Sequence, residues 1–365
     1  MKCLIKICFI AHGGPHAKNW LNYLTAQKDF QVYYIGGTID KRKNIKSFII
    51  PFNGIIHYIL LFFASQITVK IYKPNIIISQ YLTFHGFIAS LIGHYPKISI
   101  GIGSDINLGP QNSIYSKLNQ FTVQHSNEII VVSELLKEKL IKSGAPEKKI
   151  VVIPNALDET IIKTSLSTNL QKGTFEESSK EFKIIYTRGL NPVYDPLTLM
   201  RAILLVLRIF PGTKFYLAGE GSLKGTVENI IKKKKLERQV FLLGWVEEQE
   251  LSKLHKESQI YVSTSLSDGL SIALLKGIVF NNIIIASDIE ANSSLASTIN
   301  LDRKIFLLFP CGDYKDLATK IIYVIENYKQ LQSSLDTNQR TIINSFSNKK
   351  NFKKLGNIIR KIASD

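Results

Sequence analysis

Short apolar runs recur along the first 158 positions at 5–11, 31–35, 76–79, 97–101, 128–132 and 150–153. Between them lie longer stretches with apolar residues at helical spacing, about 17–26, 54–71, 84–92, 114–125 and 133–143. Brief runs rich in Ile and Val read as strands, and the longer periodic segments read as helices. Their alternation predicts a doubly wound parallel sheet, so residues 1–158 are expected to form one Rossmann-like domain. Residues 159–180 lose the periodicity and fill with Ser, Thr and Lys, which places a linker there. A second series then begins, with strands at 183–186, 214–218, 240–243, 260–263, 283–286 and about 305–308. Its helices are at about 195–210, 223–235, 248–257, 272–280 and 314–328. It predicts a second α/β domain over 181–345, and two such domains imply a ligand cleft between them. The basic, amphipathic tail, 346–365, reads as one more helix.

The stretch 260–292 concentrates candidate chemistry: a strand, a polar loop bearing glycine, an apolar helix and a second strand. A ligand at such a loop meets free backbone N–H groups at the helix N-terminus. Gly269 admits close approach of the backbone to a ligand, and Ser271 suits the helix cap. Asp268 has two readings, a hydrogen-bond acceptor for ligand hydroxyls or an ordinary turn residue before glycine. Arg188, just past the strand at 183–186, presents a guanidinium able to fork across two phosphate oxygens.

Composition narrows the field. With 365 residues and 45% hydrophobic content the chain can build two cores. The formal charge is +17; residues 1–160 carry 17 basic against 9 acidic side chains and the remainder 29 against 20, so the excess is spread over both halves. This admits two readings, compositional bias or attraction to an anionic membrane face. No aromatic-basic or helix-turn-helix pattern appears, which argues against nucleic acid. Cys3, Cys8 and Cys311 lack paired spacing, consistent with a reducing, cytoplasmic setting. The run 1–14 reads as a first strand and not as a signal peptide. The most apolar run, 54–68, follows Lys41, Arg42, Lys43 and Lys46 and reads as a core helix or as a peripheral membrane contact. No His, Cys or carboxylate cluster has metal-ligand spacing, so neither a metal nor a cofactor is expected. A dinucleotide-dependent oxidoreductase fits poorly, because Ala11-His12-Gly13-Gly14-Pro15-His16 is not the required glycine fingerprint.

The residues also carry a family likeness. Ser267-Asp268-Gly269-Leu270-Ser271, Leu274-Leu275 and Ala286-Ser287-Asp288-Ile289 with Asn292 resemble the donor-binding segment of family 4 glycosyltransferases, group 1 type. Tyr186 to Asp195 resembles the loop that supplies an arginine to the donor diphosphate. Gly219-Glu220-Gly221 and Leu243-Gly244-Trp245-Val246 resemble the following strand-end turns, and Phe309 to Asp313 a later marker. In the first half, His12-Gly13-Gly14-Pro15-His16, Tyr81-Leu82-Thr83 with Gly86, Gly103-Ser104-Asp105, Val132-Ser133-Glu134 and Ile153-Pro154-Asn155 are similar to successive family segments in the expected order.

The resemblance implies a GT-B fold and retaining, metal-independent transfer of a sugar from a nucleotide-diphosphate donor to a hydroxyl of a glycan or lipid-linked acceptor, in surface polysaccharide biosynthesis. It implies catalytic roles for Arg188 and Asp268. The donor contacts implied are Gly13, Gly14, Gly219, Gly221, Gly244, Trp245, Gly269, Leu270, Ser271 and Lys276, and the acceptor-side residues His12, His16 and Asp105. It also implies that the tail helix crosses back onto the first domain. For His12 and His16 the bland reading is a solvated loop histidine, and for Asp105 a helix cap. Lys276 stands where the family has a second carboxylate that grips the ribose. An ammonium donates only, so Lys276 either reaches a phosphate, pairs with Asp268 or marks a weakened site. Asn281, Ser294, Leu295 and Ile102 depart as well, and Val193 or Tyr194 takes the place of a common lysine. These departures motivate an alternative, a catalytically impaired GT-B protein that binds or scaffolds a glycan-assembly complex.

Overall fold

The computed structural model describes residues 4–37, 45–50, 54–107, 113–167 and 181–364. The chain divides into two compact units, Met1–Ala156 with Lys349–Asp365, and Leu157–Asn348.

The first unit runs β1 (Ile5–Ala11), α1 (Gly14–Ala26), β2 (Phe30–Gly36), β3 (Lys46–Ile49), α2 (Gly54–Tyr72), β4 (Ile76–Gln80) and α3 (Phe84–Ser90). It continues with β5 (Lys97–Gly101), α4 (Ser104–Asn107), α5 (Ser113–His125), β6 (Glu128–Val131), α6 (Glu134–Lys142) and β7 (Ile150–Val152). The strands form one parallel sheet in the order β3-β2-β1-β4-β5-β6-β7. Because both faces are covered, the inner strands β4 and β5 are buried throughout and mostly apolar, and alternate residues serve opposite faces. Ile7, Phe9 and Ala11 join Trp20 and Leu21 of α1 on one side. Cys8 and Ile10 join Leu61 and Val69 of α2 and Ile88 of α3 on the other. The reversal of strand order between β1 and β4 marks the switch point where loops diverge and ligands of such sheets are found.

The second unit runs α7 (Glu159–Leu166), β8 (Lys183–Tyr186), α8 (Pro196–Ile209), β9 (Lys214–Ala218), α9 (Lys224–Lys233), β10 (Val240–Gly244), α10 (Glu248–Glu257) and β11 (Ile260–Ser263). Then come α11 (Ile272–Val279), β12 (Ile283–Ser287), α12 (Glu290–Thr298), β13 (Phe306–Phe309), α13 (Tyr314–Leu331) and α14 (Leu335–Phe346). Its sheet is parallel in the order β10-β9-β8-β11-β12-β13, with the switch point between β8 and β11. Two doubly wound parallel-sheet domains are therefore present, as the alternating pattern predicts.

The last helix, α15 (Asn348–Ser364), belongs to the first unit. Phe352 packs edge-on against Trp20 at 5.3 Å and stacks on Tyr23 at 4.7 Å, and Arg360 Nε donates to Asp29 Oδ2 at 2.7 Å. One face of α15 thus completes the core over α1.

Several elements differ from the sequence reading. The first residues of the supposed linker form α7, capped by Asp158, whose carboxylate accepts from Thr160 N at 2.8 Å. Burial of Ile161 and Ile162 stabilises this helix despite its β-branched composition, a tertiary effect that overrides local propensity; residues 168–180 of the linker lie outside the described residues. The short strand β3 was not expected, since all four of its residues are exposed at a sheet edge and leave no apolar alternation. Helices α12 and α14 were also missed. In α14, Leu335, Ile342 and Phe346 are buried and Gln339 Nε2 donates to Val279 O at 2.6 Å. Finally, α2 is not an ordinary core helix: His57, Leu61, Ser65, Thr68 and Val69 are buried, whereas Ile55, Ile59, Phe63, Ile67 and Ile71 are exposed.

Candidate functional site

At the switch point of the second sheet, the loops after β8 and β11 bring Arg188, Asp268 and Ser271 together. Arg188 Nη2 donates to Asp268 Oδ2 at 2.7 Å and Nη1 donates to Ser271 Oγ at 2.9 Å. The guanidinium lies 4.2 Å from the Tyr194 ring centre, a cation–π contact. Both charged side chains are largely shielded, 12% exposed for Arg188 and 15% for Asp268, which strengthens their attraction. Burial works against the charge on Arg188, yet Asp268 and the hydroxyls of Tyr261, Tyr194 and Tyr186 outweigh it, so its pKa is raised and it stays a cation. Its Nε–H is buried without a hydrogen-bond partner among the described residues. A buried donor left unpaired costs about 1–3 kcal/mol, a penalty that an anionic ligand would remove.

The surrounding loops are cross-braced. Thr264 Oγ1 and Tyr186 Oη both donate to the Tyr194 carbonyl, at 2.7 and 3.1 Å, and Leu266 N donates to Val193 O at 2.8 Å. Asp195 holds a left-handed backbone (φ 41°) while capping α8 through Thr198 N. A side chain at Gly219 would place its Cβ 2.3 Å from Arg188 O, and one at Gly221 would lie 2.3 Å from Leu190 O. These two glycines therefore let the turn after β9 press against the Arg188 loop, sealed by Leu190 N donating to Glu220 O at 2.9 Å. Gly244 has φ 65° beside Glu220, Trp245 is 68% exposed, and Leu270 is buried. Ser271 caps α11 by accepting from Leu274 N at 3.2 Å, and the Gly269 N–H turns back onto Asp268 Oδ1 at 2.8 Å.

Lys276 does not pair with Asp268, which corrects one of the sequence alternatives. Its Nζ donates to Glu248 Oε2 at 2.6 Å. Asp268 is engaged by Arg188, and Glu248 stands in the first turn of α10, where the helix dipole favours a carboxylate. Glu248 was not singled out from the sequence, because it lies in no recognisable spacing and only the fold brings it to Lys276; Tyr194 was named only as standing in the place of a common lysine.

In the first unit, Gly13 and Gly14 have φ of 96° and 75°, so the turn after β1 needs residues without a Cβ. His16 lies in α1. Asp105 is 4% exposed; Oδ2 accepts from Leu82 N at 2.8 Å, and Oδ1 from Gly103 N at 2.9 Å and Ile102 N at 3.2 Å. The carboxylate thus ties the turns after β4 and β5 together through N–H groups that precede it, and it does not cap the helix that follows.

His12 meets two histidines that sequence spacing did not connect to it. The ring centres of His12, His57 and His85 form a near-equilateral triangle with sides of 6.1, 5.9 and 6.0 Å. Burial, with the neighbouring His12 and His57, pushes His85 down to about 3, and partial shielding of the ring beside His57 also lowers His12, although the residue as a whole stays exposed. His57 lies within the apolar run 54–68, which in sequence gives no hint of either partner.

Residues 168–342 match the family described as glycosyl transferases group 1, and residues 14–160 match Glycosyltransferase Family 4. Among curated proteins, the chain is 26% identical over 163 residues to a phosphatidylinositol N-acetylglucosaminyltransferase component of Arabidopsis thaliana, covering 44% of this chain and 34% of that one. It is 29% identical over 123 residues to the poly(ribitol-phosphate) alpha-N-acetylglucosaminyltransferase of Staphylococcus aureus, covering 34% and 24%. The chain thus spans about a third or less of the length of these two relatives. Among solved structures, a glycosyltransferase from Rickettsia africae superposes with TM-score 0.73 at 18% identity over 98% of both chains. An Anabaena protein in complex with UDP and glucose superposes with TM-score 0.77 at 14% identity, covering 98% of this chain and 99% of that one.

Proposed function

The chain belongs to the group 1, family 4 glycosyltransferases of GT-B fold, and on that footing we propose that it moves a sugar from a nucleotide-diphosphate donor to a hydroxyl of a glycan or lipid-linked acceptor in surface polysaccharide biosynthesis, with retained configuration and without a metal at the leaving group. The observation that carries this reading is the shielded Arg188 guanidinium, pre-oriented by Asp268 and Ser271, with a donor still unspent. Charge develops on the diphosphate as the glycosidic bond breaks, and a fixed cation in a shielded site stabilises it without reorganisation. The α11 N-terminus adds backbone dipoles to the same end. Asp268 fixes the arginine and accepts from donor hydroxyls with its remaining lone pairs. Glu248, held by Lys276, supplies the carboxylate for the ribose hydroxyls that position 276 itself lacks.

The test is calorimetry with a panel of uridine, guanosine and adenosine diphosphates and their sugars, uridine forms first because the Anabaena relative was solved with UDP. Selective binding of one base supports transfer. Binding of none favours the second reading, an impaired family member that scaffolds a glycan-assembly complex, which the departure at Lys276 motivates.

The exposed face of α2 supports peripheral attachment to an anionic membrane from the cytoplasmic side. Ile55, Ile59, Phe63, Ile67 and Ile71 recur every fourth residue and are 77%, 51%, 58%, 53% and 60% exposed. The helix has 19 residues and is apolar enough to cross a bilayer by length and composition, but one face is committed to the sheet, so lying in the interface satisfies both. The charge of +17 adds attraction to acidic lipids. Co-sedimentation with phosphatidylglycerol vesicles, reduced in an Ile59→Ser, Phe63→Ser, Ile67→Ser variant, is the expected result.

A further inference from the structure

We propose that His12, His57 and His85 bind a divalent transition metal ion of zinc type, through three neutral imidazoles. The ligand nitrogens of the three side chains all lie within 4.8 Å of one another. With metal–nitrogen bonds of about 2.0–2.1 Å, tetrahedral binding would bring the ring centres to about 5 Å apart, so the observed triangle of roughly 6 Å needs a contraction of about an ångström that side-chain rotation supplies. The residues arrive from three elements: the turn after β1, the first two turns of α2, and α3. His12 and His85 follow the two strands that flank the switch point of the first sheet, the place where sheets of this kind hold ligands.

A second observation points to a ligand. His85 is 2% exposed, and its Nε2 has no hydrogen-bond partner among the described residues. Buried ring nitrogens are nearly always paired, and a cation held among the three imidazoles would relieve this cluster of an unpaired one. His85 lies within 5.9 Å of Tyr81 and 5.6 Å of Tyr58, ring centre to ring centre. Neither side chain brings a negative charge, so the ligand set is purely imidazole; that favours Zn2+, Co2+, Ni2+ or Cu2+ over Mg2+ or Mn2+, which prefer carboxylate oxygens. His12 is exposed, so one side of the ion faces outward and its fourth position is open to water or to an oxygen of an incoming molecule. The site lies wholly within the first unit and does not depend on the transfer reading.

The experiment is titration of the tag-free, chelator-treated full-length protein with Co2+, read by visible absorption, then displacement by Zn2+. The expected result is one equivalent bound with the intense ligand-field bands of four-coordinate cobalt, displaced by Zn2+ and untouched by excess Mg2+. His12→Ala, in an exposed turn, is expected to keep the circular dichroism spectrum and weaken binding at least about tenfold, since even partners outside a ligand set cost 10- to 100-fold. His12→Gln serves if the alanine variant does not fold. His125→Ala, an exposed histidine remote in sequence, is expected to leave the titration unchanged. No stoichiometric binding, a weak six-coordinate spectrum, or binding unchanged in both His12 variants would overturn the proposal and leave the three rings as packing.

Discussion

Arg188 and Asp268 are joined by an ion pair of 2.7 Å across the switch point of the second sheet, with Ser271 holding Nη1 and the Tyr194 ring packed against the guanidinium. The arrangement restricts an arginine that would otherwise sample many rotamers, so little ordering is left for the moment of reaction.

Replacing that arginine tests the assignment. Arg188→Ala is expected to reduce transfer roughly 100- to 1,000-fold, the usual loss for one preorganised donor to developing charge. Its circular dichroism spectrum is expected to match wild type. Turnover at the wild-type rate would remove Arg188 from the leaving-group role.

Lys276 and Glu248 give a sharper test. Lys276→Glu sets two carboxylates side by side where an ion pair of 2.6 Å stood. Nucleotide binding is expected to weaken roughly tenfold, about 1.4 kcal/mol by calorimetry. The exchanged pair, Lys276→Glu with Glu248→Lys, is expected to recover most of it. A gain of affinity in the single variant would mean that a carboxylate at 276 suffices and that Glu248 contributes nothing.

Asp105 is assigned to stability. Asp105→Ala strands the backbone N–H groups of Leu82, Ile102 and Gly103 in the interior, with an expected loss of about 3–5 kcal/mol in urea unfolding. A variant as stable as wild type would show that water replaces the carboxylate at no cost.

The histidine cluster makes stability depend on pH. Burial takes His85 from 6.5 in the unfolded chain down to about 3, so the folded state resists a proton that the unfolded state accepts. The groups around it are His12 from the turn after β1, His57 and Tyr58 from α2, and Tyr81 after β4. Its contribution is full above pH 6.5 and is lost progressively as the pH falls towards 3. Between pH 7.5 and 5 this amounts to about 2 kcal/mol. Chemical denaturation in chelator across that range is expected to show the decline, and His85→Gln to flatten it; identical slopes would place the dependence elsewhere.

The alternation of strands and helices was readable because parallel strands covered on both faces are mostly apolar and their crossovers helical, a constraint that writes itself into local periodicity. Arg188, Asp268 and Ser271 were readable from their side-chain chemistry at strand ends and from the family resemblance, whereas their convergence follows from β8 and β11 being neighbours in the sheet. By contrast α7 looked like linker, since the gain that orders it is the burial of Ile161 and Ile162 on elements distant in sequence. The pairing of Lys276 with Glu248, the enclosure of Asp105 by the turns after β4 and β5, and the meeting of His12 with His57 and His85 were likewise decided by tertiary structure. The sequence alone determined the alternation, the parallel sheets and the ends of strands where chemistry could sit, all of which follow from short-range spacing. Which charges pair and which polar groups are buried depends on distances across the fold, and those exist only once the chain has packed.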